Sequence, residues 1–212
     1  MKTRVVSDAV SEVLYSREIR SVCAGVELVL SCGDLPYEYL EYIVTCLGVP
    51  LLYVLGNHDG ALMRSDGRVS DGPEGGRSID GRVVRVRGRR GDDIWIAGFG
   101  GSAAYGGGVH QHSEREMGRR VRGARARLRW LGLAERARLG VVVSHAAPRG
   151  VHDAADPCHR GFESFVDLIR KERPRLWLHG HIHPSYGIDL RPVCCGHTEV
   201  RGIYGYEVLE IG

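Results

Sequence analysis

Leu51-Leu52-Tyr53-Val54-Leu55-Gly56-Asn57-His58-Asp59 decides the fold. A short apolar run of strand type stops at a glycine and is followed at once by an amide, an imidazole and a carboxylate. The same event recurs outward in both directions. Residues 3–6 read as a buried strand that runs into Ser7-Asp8, and residues 26–30 stop at Ser31-Cys32-Gly33-Asp34. Downstream, Val141-Val142-Val143 ends at Ser144-His145, and residues 176–178 lead into His179-Gly180-His181-Ile182-His183. Each of these strand ends carries Asp, Asn or His, and in open α/β sheets ligands collect at the carboxyl ends of strands. Asn57 is the only asparagine in the chain. Alone it would be an ordinary turn former; its weight comes from the other strand ends.

Between the strand ends lie helical patterns. Residues 37–47 and 162–171 space their apolar positions as helices do, and residues 113–131 place Met117, Val121, Ala124, Leu128 and Leu131 on one face with arginines crowding the rest. Residues 82–87 alternate valine with arginine and residues 94–99 are apolar, with Gly91-Asp92-Asp93 between them, which predicts a β-hairpin whose arginines face solvent. Residues 60–81, rich in Gly, Asp, Ser and Arg, read as a long surface loop. From Ser185 onward the chain reads as short strands.

The 212 residues, 43% hydrophobic and 26% charged, lie near the averages for soluble globular chains and predict one domain spanning 1–212. No run approaches the roughly 20 apolar residues of a membrane span, and the N-terminal stretch has no signal-peptide core, so a cytoplasmic location without a membrane partner is expected. The six cysteines form no CxxC pair and are expected to be reduced and structural. The net charge of +3 is carried almost wholly by arginine, Lys2 and Lys171 being the only lysines, and it suits an anionic substrate.

Two carboxylates, an amide oxygen and several imidazoles make a mixed donor set that suits Mn, Fe, Zn, Co or Ni better than a calcium cage, and without a thiolate it is no structural zinc knot. In order and spacing, Asp8, Gly33-Asp34, Gly56-Asn57-His58-Asp59, Ser144-His145 and Gly180-His181-Ile182-His183 resemble the calcineurin-like metallophosphoesterases over nearly the whole chain. Gly-Asn-His-Asp together with Gly-His-x-His is the specific part. The resemblance implies a four-layer α-β-β-α sandwich, two mixed β-sheets flanked by helices, with two divalent transition-metal ions, Mn foremost, at the strand ends. It implies that Asp8, Asp34 and His183 hold one ion and Asp34, Asn57, His145 and His181 the other, with Asp34 shared. A hydroxide bridging the ions would attack phosphorus, while His58 protonates or stabilises the leaving oxygen and Asp59 orients its imidazole. The expected substrate is a small-molecule phosphate ester, a diester slightly ahead of a monoester. Oligomeric state is not legible.

One position departs from the family pattern. The family's first motif is Asp-x-His, and here it reads Asp8-Ala9-Val10. If strand geometry continues, residues 8 and 10 share a face and the first ion loses an imidazole. Three outcomes are open: water fills the place, a neighbour such as Glu12 substitutes, or the chain runs with one ion or none. The last defines a rival reading, a binding or scaffold module that kept the fold and lost catalysis. A second rival, a nucleic-acid-binding nuclease, rests on the arginine-rich helix around Arg119 to Arg129, without aromatic interleaving. His110, His112, Arg149, His152, His159 and Arg160 are loop candidates to grip substrate phosphate, with Arg149 and His152, close behind His145, ranking first. His179 is read as a core or supporting histidine, and Cys194, Cys195 and His197 as structural, since their spacing matches no zinc pattern.

Overall fold

Alternation with period two along the central strands sets the layers. In the computed structural model, which describes residues 1–89, 91, 93–135 and 137–212, the first half of the chain runs β1 (Lys2–Ser7), α1 (Ile19–Val22), β2 (Leu28–Ser31), α2 (Tyr37–Leu47), β3 (Leu51–Tyr53), β4 (Leu62–Met63), β5 (Val69–Ser70), β6 (Gly76–Ser78), β7 (Val83–Arg87) and β8 (Asp93–Phe99). The second half runs β9 (Ser102–Ala103), β10 (Gln111–His112), α3 (Glu114–Glu135), β11 (Leu139–Ser144), α4 (Glu163–Glu172), β12 (Leu176–His179), β13 (Val193–Cys195), β14 (Thr198–Gly202) and β15 (Gly205–Glu210). Among the described residues, β15-β1-β2-β3-β6 form one mixed sheet and β13-β14-β12-β11-β8-β7 another.

Val5, Leu28, Leu30 and Leu52 of the first sheet meet Ile96, Val141, Val143 and Leu178 of the second in one buried seam. Their strand neighbours Val6, Val29 and Leu51 turn outward and pack with Ile19 of α1 and Tyr39 and Ile43 of α2. On the other side Val142, Trp177 and Val200 turn outward beneath Met117 and Val121 of α3 and Phe165 of α4. The result is the expected four-layer sandwich. Within it β1, β2 and β3 run parallel, as do β8, β11, β12 and β14, which brings the carboxyl ends of both sets to one rim.

The predicted hairpin is β7 paired antiparallel with β8, with Arg82, Arg85 and Arg87 exposed; Asp92 of its turn lies outside the described residues. The stripe from Met117 to Leu131 is buried along α3. Residues 60–81 differ from the expected loop: β4 and β5 form a small antiparallel pair, and β6 adds to the first sheet beside β3 in parallel register. Gly76-Arg77-Ser78 has no side-chain alternation, and its place is set by backbone pairing at the sheet edge, which a side-chain pattern does not encode. Among the described residues no helix is long and apolar enough to cross a membrane.

Trp177 is fully buried, and its indole N–H donates to Ser144 Oγ at 2.8 Å. That hydroxyl in turn donates to the Ala146 carbonyl at 2.7 Å, so the indole steadies the chain on both sides of His145. Trp177→Ala is expected to destabilise the fold by about 3–5 kcal/mol, read as a lower urea midpoint.

Candidate metal centre

Backbone geometry marks the rim first. Asp8, Asp34 and His181 sit in the left-handed region with φ of 61°, 54° and 67°. For residues other than glycine such conformations cost of order 1–3 kcal/mol and gather at functional sites. The motif glycines have a steric reason: a Cβ at Gly56 would collide with the Asp34 carboxylate and the His145 ring, and one at Gly180 with Ser7 Oγ and the Asp8 carboxylate. The strand ends before Asp8, where the Ala9 N–H closes back on the Ser7 carbonyl at 2.6 Å. Strand geometry therefore does not carry through to residue 10, and Val10 is 43% exposed. Glu12 is exposed as well and belongs to none of the compact donor groups among the described residues.

His145 organises the centre. Its Nδ1 lies 2.8 Å from the Cys32 carbonyl, which can only accept, so Nδ1 carries a proton. Its Nε2 then faces Asn57 Oδ1 at 3.0 Å and Asp34 Oδ2 at 3.2 Å. The Asn57 amide is turned this way by its own N–H donation to the Tyr105 hydroxyl at 3.1 Å. Asp34 Oδ1 accepts the His58 backbone N–H at 2.9 Å. Three acceptors converge, and they cohere only around positive charge, either a proton on Nε2 or a cation. The donor atoms of Asp34, His145 and His181 lie within 4.8 Å of one another, a spread that one cation with ligand distances of about 2.0–2.2 Å spans with small side-chain shifts. Oxygen and imidazole donors in this mixture fit a divalent transition metal.

Electrostatics agree with that geometry. Burial would raise the Asp34 carboxyl, but the hydrogen bond and charge of His145 and the His58 N–H outweigh it and hold the group at about 2. Burial would lower His145, yet Asp34, with help from Asp8 and the Cys32 carbonyl, lifts it to about 9. Burial and the neighbouring His145 lower His181 to about 3, so its ring is neutral and offers a lone pair.

Asp8 forms the second part of the rim. Its carboxylate accepts from Ser7 Oγ at 2.5 Å and from the His181 N–H at 3.1 and 3.0 Å, and His183 Nε2 stands 3.3 Å from Oδ1. The His183 ring stacks on Tyr186 with centroids 5.3 Å apart. Among the described residues no third His, Cys, Asp or Glu joins this pair in a compact group.

The remaining candidates are placed as follows. Asp59, expected to orient the His58 imidazole, receives the Asp34 N–H at 2.9 Å and the Gly56 N–H at 2.7 Å on the same oxygen; it fastens two loops together through their backbones. His58 is exposed beside a cleft of about 520 Å³ lined by Leu35, Pro36, Tyr37, Asp59 and Leu62. His152, expected to meet substrate, is buried with both ring nitrogens engaged, by His179 Nε2 at 2.9 Å and the Arg191 carbonyl at 2.9 Å. Arg149 lies 3.8 Å from the Asp153 carboxylate and lines an outer groove with Arg122 and Glu163. Pro148 pairs with Phe162 across this loop, which turns it toward the α3–α4 layer. His112 is 2.7 Å from an Arg120 nitrogen. His159 does stand at the centre, its ring 5.2 Å from that of His181. Two residues had no signal in the sequence: Tyr105, which holds Asn57, and Cys158, whose carbonyl lies 2.9 Å from His181 Nε2. Both arrive from distant loops.

A family model described as calcineurin-like phosphoesterase matches residues 8–185. No curated protein gives a significant match. One solved structure superposes with a TM-score of 0.62 at 14% identity, covering 100% of this chain and 99% of its own. TT1561 of Thermus thermophilus gives 0.61 at 16% identity, covering 98% and 93%. GAP50, the anchor in the inner membrane complex of Plasmodium, gives 0.52 at 11% identity, covering 96% and 71%. At these identities the likeness speaks for the fold alone.

Proposed function

Because this chain belongs to the calcineurin-like phosphoesterase family, we propose that it hydrolyses small-molecule phosphate esters with divalent transition-metal ions held at the rim, Mn foremost. The observation that carries this reading is the convergence of the Asp34 carboxylate, the Asn57 amide oxygen and His145 Nε2 on one point. Asp34, Asn57, His145 and His181 would hold one ion. Asp8, Asp34 and His183 would hold a second, more weakly, since Val10 offers no donor. Bound ions supply Lewis acidity, which neutralises phosphate charge and acidifies water near neutral pH. The chain's own groups do the rest. The Cys32 carbonyl and Tyr105 hydroxyl orient His145 and Asn57, and Asp59 holds the loops that carry Asp34 and Gly56. His58, at the open mouth, passes a proton to the leaving ester oxygen. The cleft beside it, about 520 Å³, has room for a second ester substituent, which favours diesters. Six free cysteines suit a reducing, cytoplasmic setting.

The test is hydrolysis of bis-p-nitrophenyl phosphate and p-nitrophenyl phosphate by metal-stripped protein resupplied with Mn, beside Asn57→Ala. Mn-dependent turnover that falls in the variant supports the proposal, and faster cleavage of the diester supports the substrate class. Absence of turnover with at most one ion per chain would favour the second reading, a catalytically degenerate binding module, whose motive is Val10 and the two-donor pair at Asp8. A nucleic-acid role is less favoured, since Arg120 and Arg125 of α3 are paired with Asp80 and Glu172. Val10→His should raise Mn content toward two ions per chain, measured on desalted protein; unchanged content would place residue 10 off the Asp8–His183 pair.

A further inference from the structure

A second donor cluster shares His181 with the first. We propose that Cys158, His159 and His181 form a soft-metal site for zinc, built on the loop Asp156-Pro157-Cys158-His159 and distinct from the phosphoesterase ions. The donor atoms of these three side chains lie within 4.8 Å of one another. Asp156 makes the loop a built site. Its carboxylate lies 3.0 and 3.1 Å from His159 Nδ1 and also accepts the N–H groups of Cys158 and His159 at 3.1 Å each. That assigns the His159 proton to Nδ1 and leaves Nε2 with a lone pair, the carboxylate–histidine–metal arrangement that raises ligand basicity. The backbone bonds fix the turn that carries the thiol and the imidazole on consecutive residues. The His159 ring is further held against Tyr186, with centroids 4.3 Å apart, while its side chain stays 18% exposed, an entry path for an ion. Cys158 is half-buried and free of any disulfide.

Ligand chemistry separates this site from its neighbour. A sulfur donor selects zinc over Mn, whereas the oxygen–imidazole set around Asp34 accepts Mn. As the sulfur–zinc bond forms, the thiol proton goes to solvent, and no oxidant or reductant is involved. Three protein donors leave a fourth position open, unlike a closed structural knot. His181 belongs to both groups, so zinc at Cys158 and His159 competes for the imidazole that the proposed Mn site needs. Zinc is then an inhibitor of a Mn-supported centre. Only this last step rests on the function proposed above.

Cobalt(II), a zinc surrogate with visible ligand-field bands, gives the readout. Wild-type protein should show a near-ultraviolet thiolate-to-cobalt charge-transfer band saturating at one ion per chain and bleached by zinc. Cys158→Ser should lose the band with its circular dichroism unchanged. Asp156→Asn should weaken cobalt binding by about 10–100-fold, and Asp34→Ala, which removes a donor of the neighbouring group alone, should keep the band. A missing band in wild type, or one that survives in Cys158→Ser, overturns the site. Where Mn-dependent turnover is present, its inhibition by zinc should be at least about tenfold weaker in Cys158→Ser; equal inhibition overturns the competition for His181. The cobalt band needs no catalysis, so failure of the hydrolytic reading and failure of this site are separable.

Discussion

Asp34→Ala is expected to remove stoichiometric Mn binding and to lower Mn-dependent ester hydrolysis by on the order of 10³-fold. Asp34 ties together three other residues of the rim. One oxygen faces His145 Nε2 at 3.2 Å, the other takes the His58 N–H at 2.9 Å, and the residue's own N–H reaches Asp59 at 2.9 Å. Alanine keeps the last of these and deletes the negative charge that sets the protonation of His145. Asp34→Asn separates charge from structure, since an amide oxygen still accepts from His58 but carries no charge. It should match wild type in urea midpoint and match Asp34→Ala in metal content. Full turnover in Asp34→Ala would sink the assignment of this rim as the reactive centre.

The second large effect should appear at His58, and its size should depend on the substrate. A proton delivered to the leaving oxygen is worth about 10²–10⁴-fold when that oxygen is a poor leaving group. A nitrophenolate departs readily as an anion and gains far less. His58→Ala should therefore lose most of its rate on an alkyl ester and much less on a nitrophenyl ester, with Mn content unchanged because the exposed side chain lies outside the compact donor groups. Equal losses on both esters would show that His58 grips substrate instead of donating to it.

Much of this molecule was legible in the sequence because its information is local. Strand tips that stop at Gly-Asp, Gly-Asn-His-Asp and Gly-His-x-His announce themselves, since the glycines are demanded by the backbone, carboxylates and ring packed a few ångströms away. The α3 stripe was equally plain, because one helical period decides which residues are buried. What failed to show was non-local. β6 owes its place to backbone pairing with β3. His152 lies only seven residues past His145 in the chain, yet the loop turns it into His179 and the Arg191 carbonyl. Asp59 sits next to His58 in sequence, but its carboxylate is aimed at the backbone of Asp34 and Gly56. Cys158 carried no pattern at all until folding brought it to His181. Val10 stands between these cases: the substitution and the strand end at Ser7-Asp8 were visible, whereas the exposed place to which the turn carries residue 10 was not.

The rim also straddles the seam between the two sheets, and this has a mechanical consequence. Asp8, Asp34 and Asn57 follow β1, β2 and β3 of one sheet, while His145, His181 and His183 follow β11 and β12 of the other. Any cation gripped by both sets acts as a rivet through the sandwich, adding to the apolar adhesion of Val5, Leu30, Val143 and Leu178 a tie that loosens only when the ion leaves. Melting temperature thus becomes a gauge of occupancy: at free Mn of 100 times the dissociation constant the rivet adds about 2.7 kcal/mol, and a chelator withdraws it, letting the two halves part at a lower temperature.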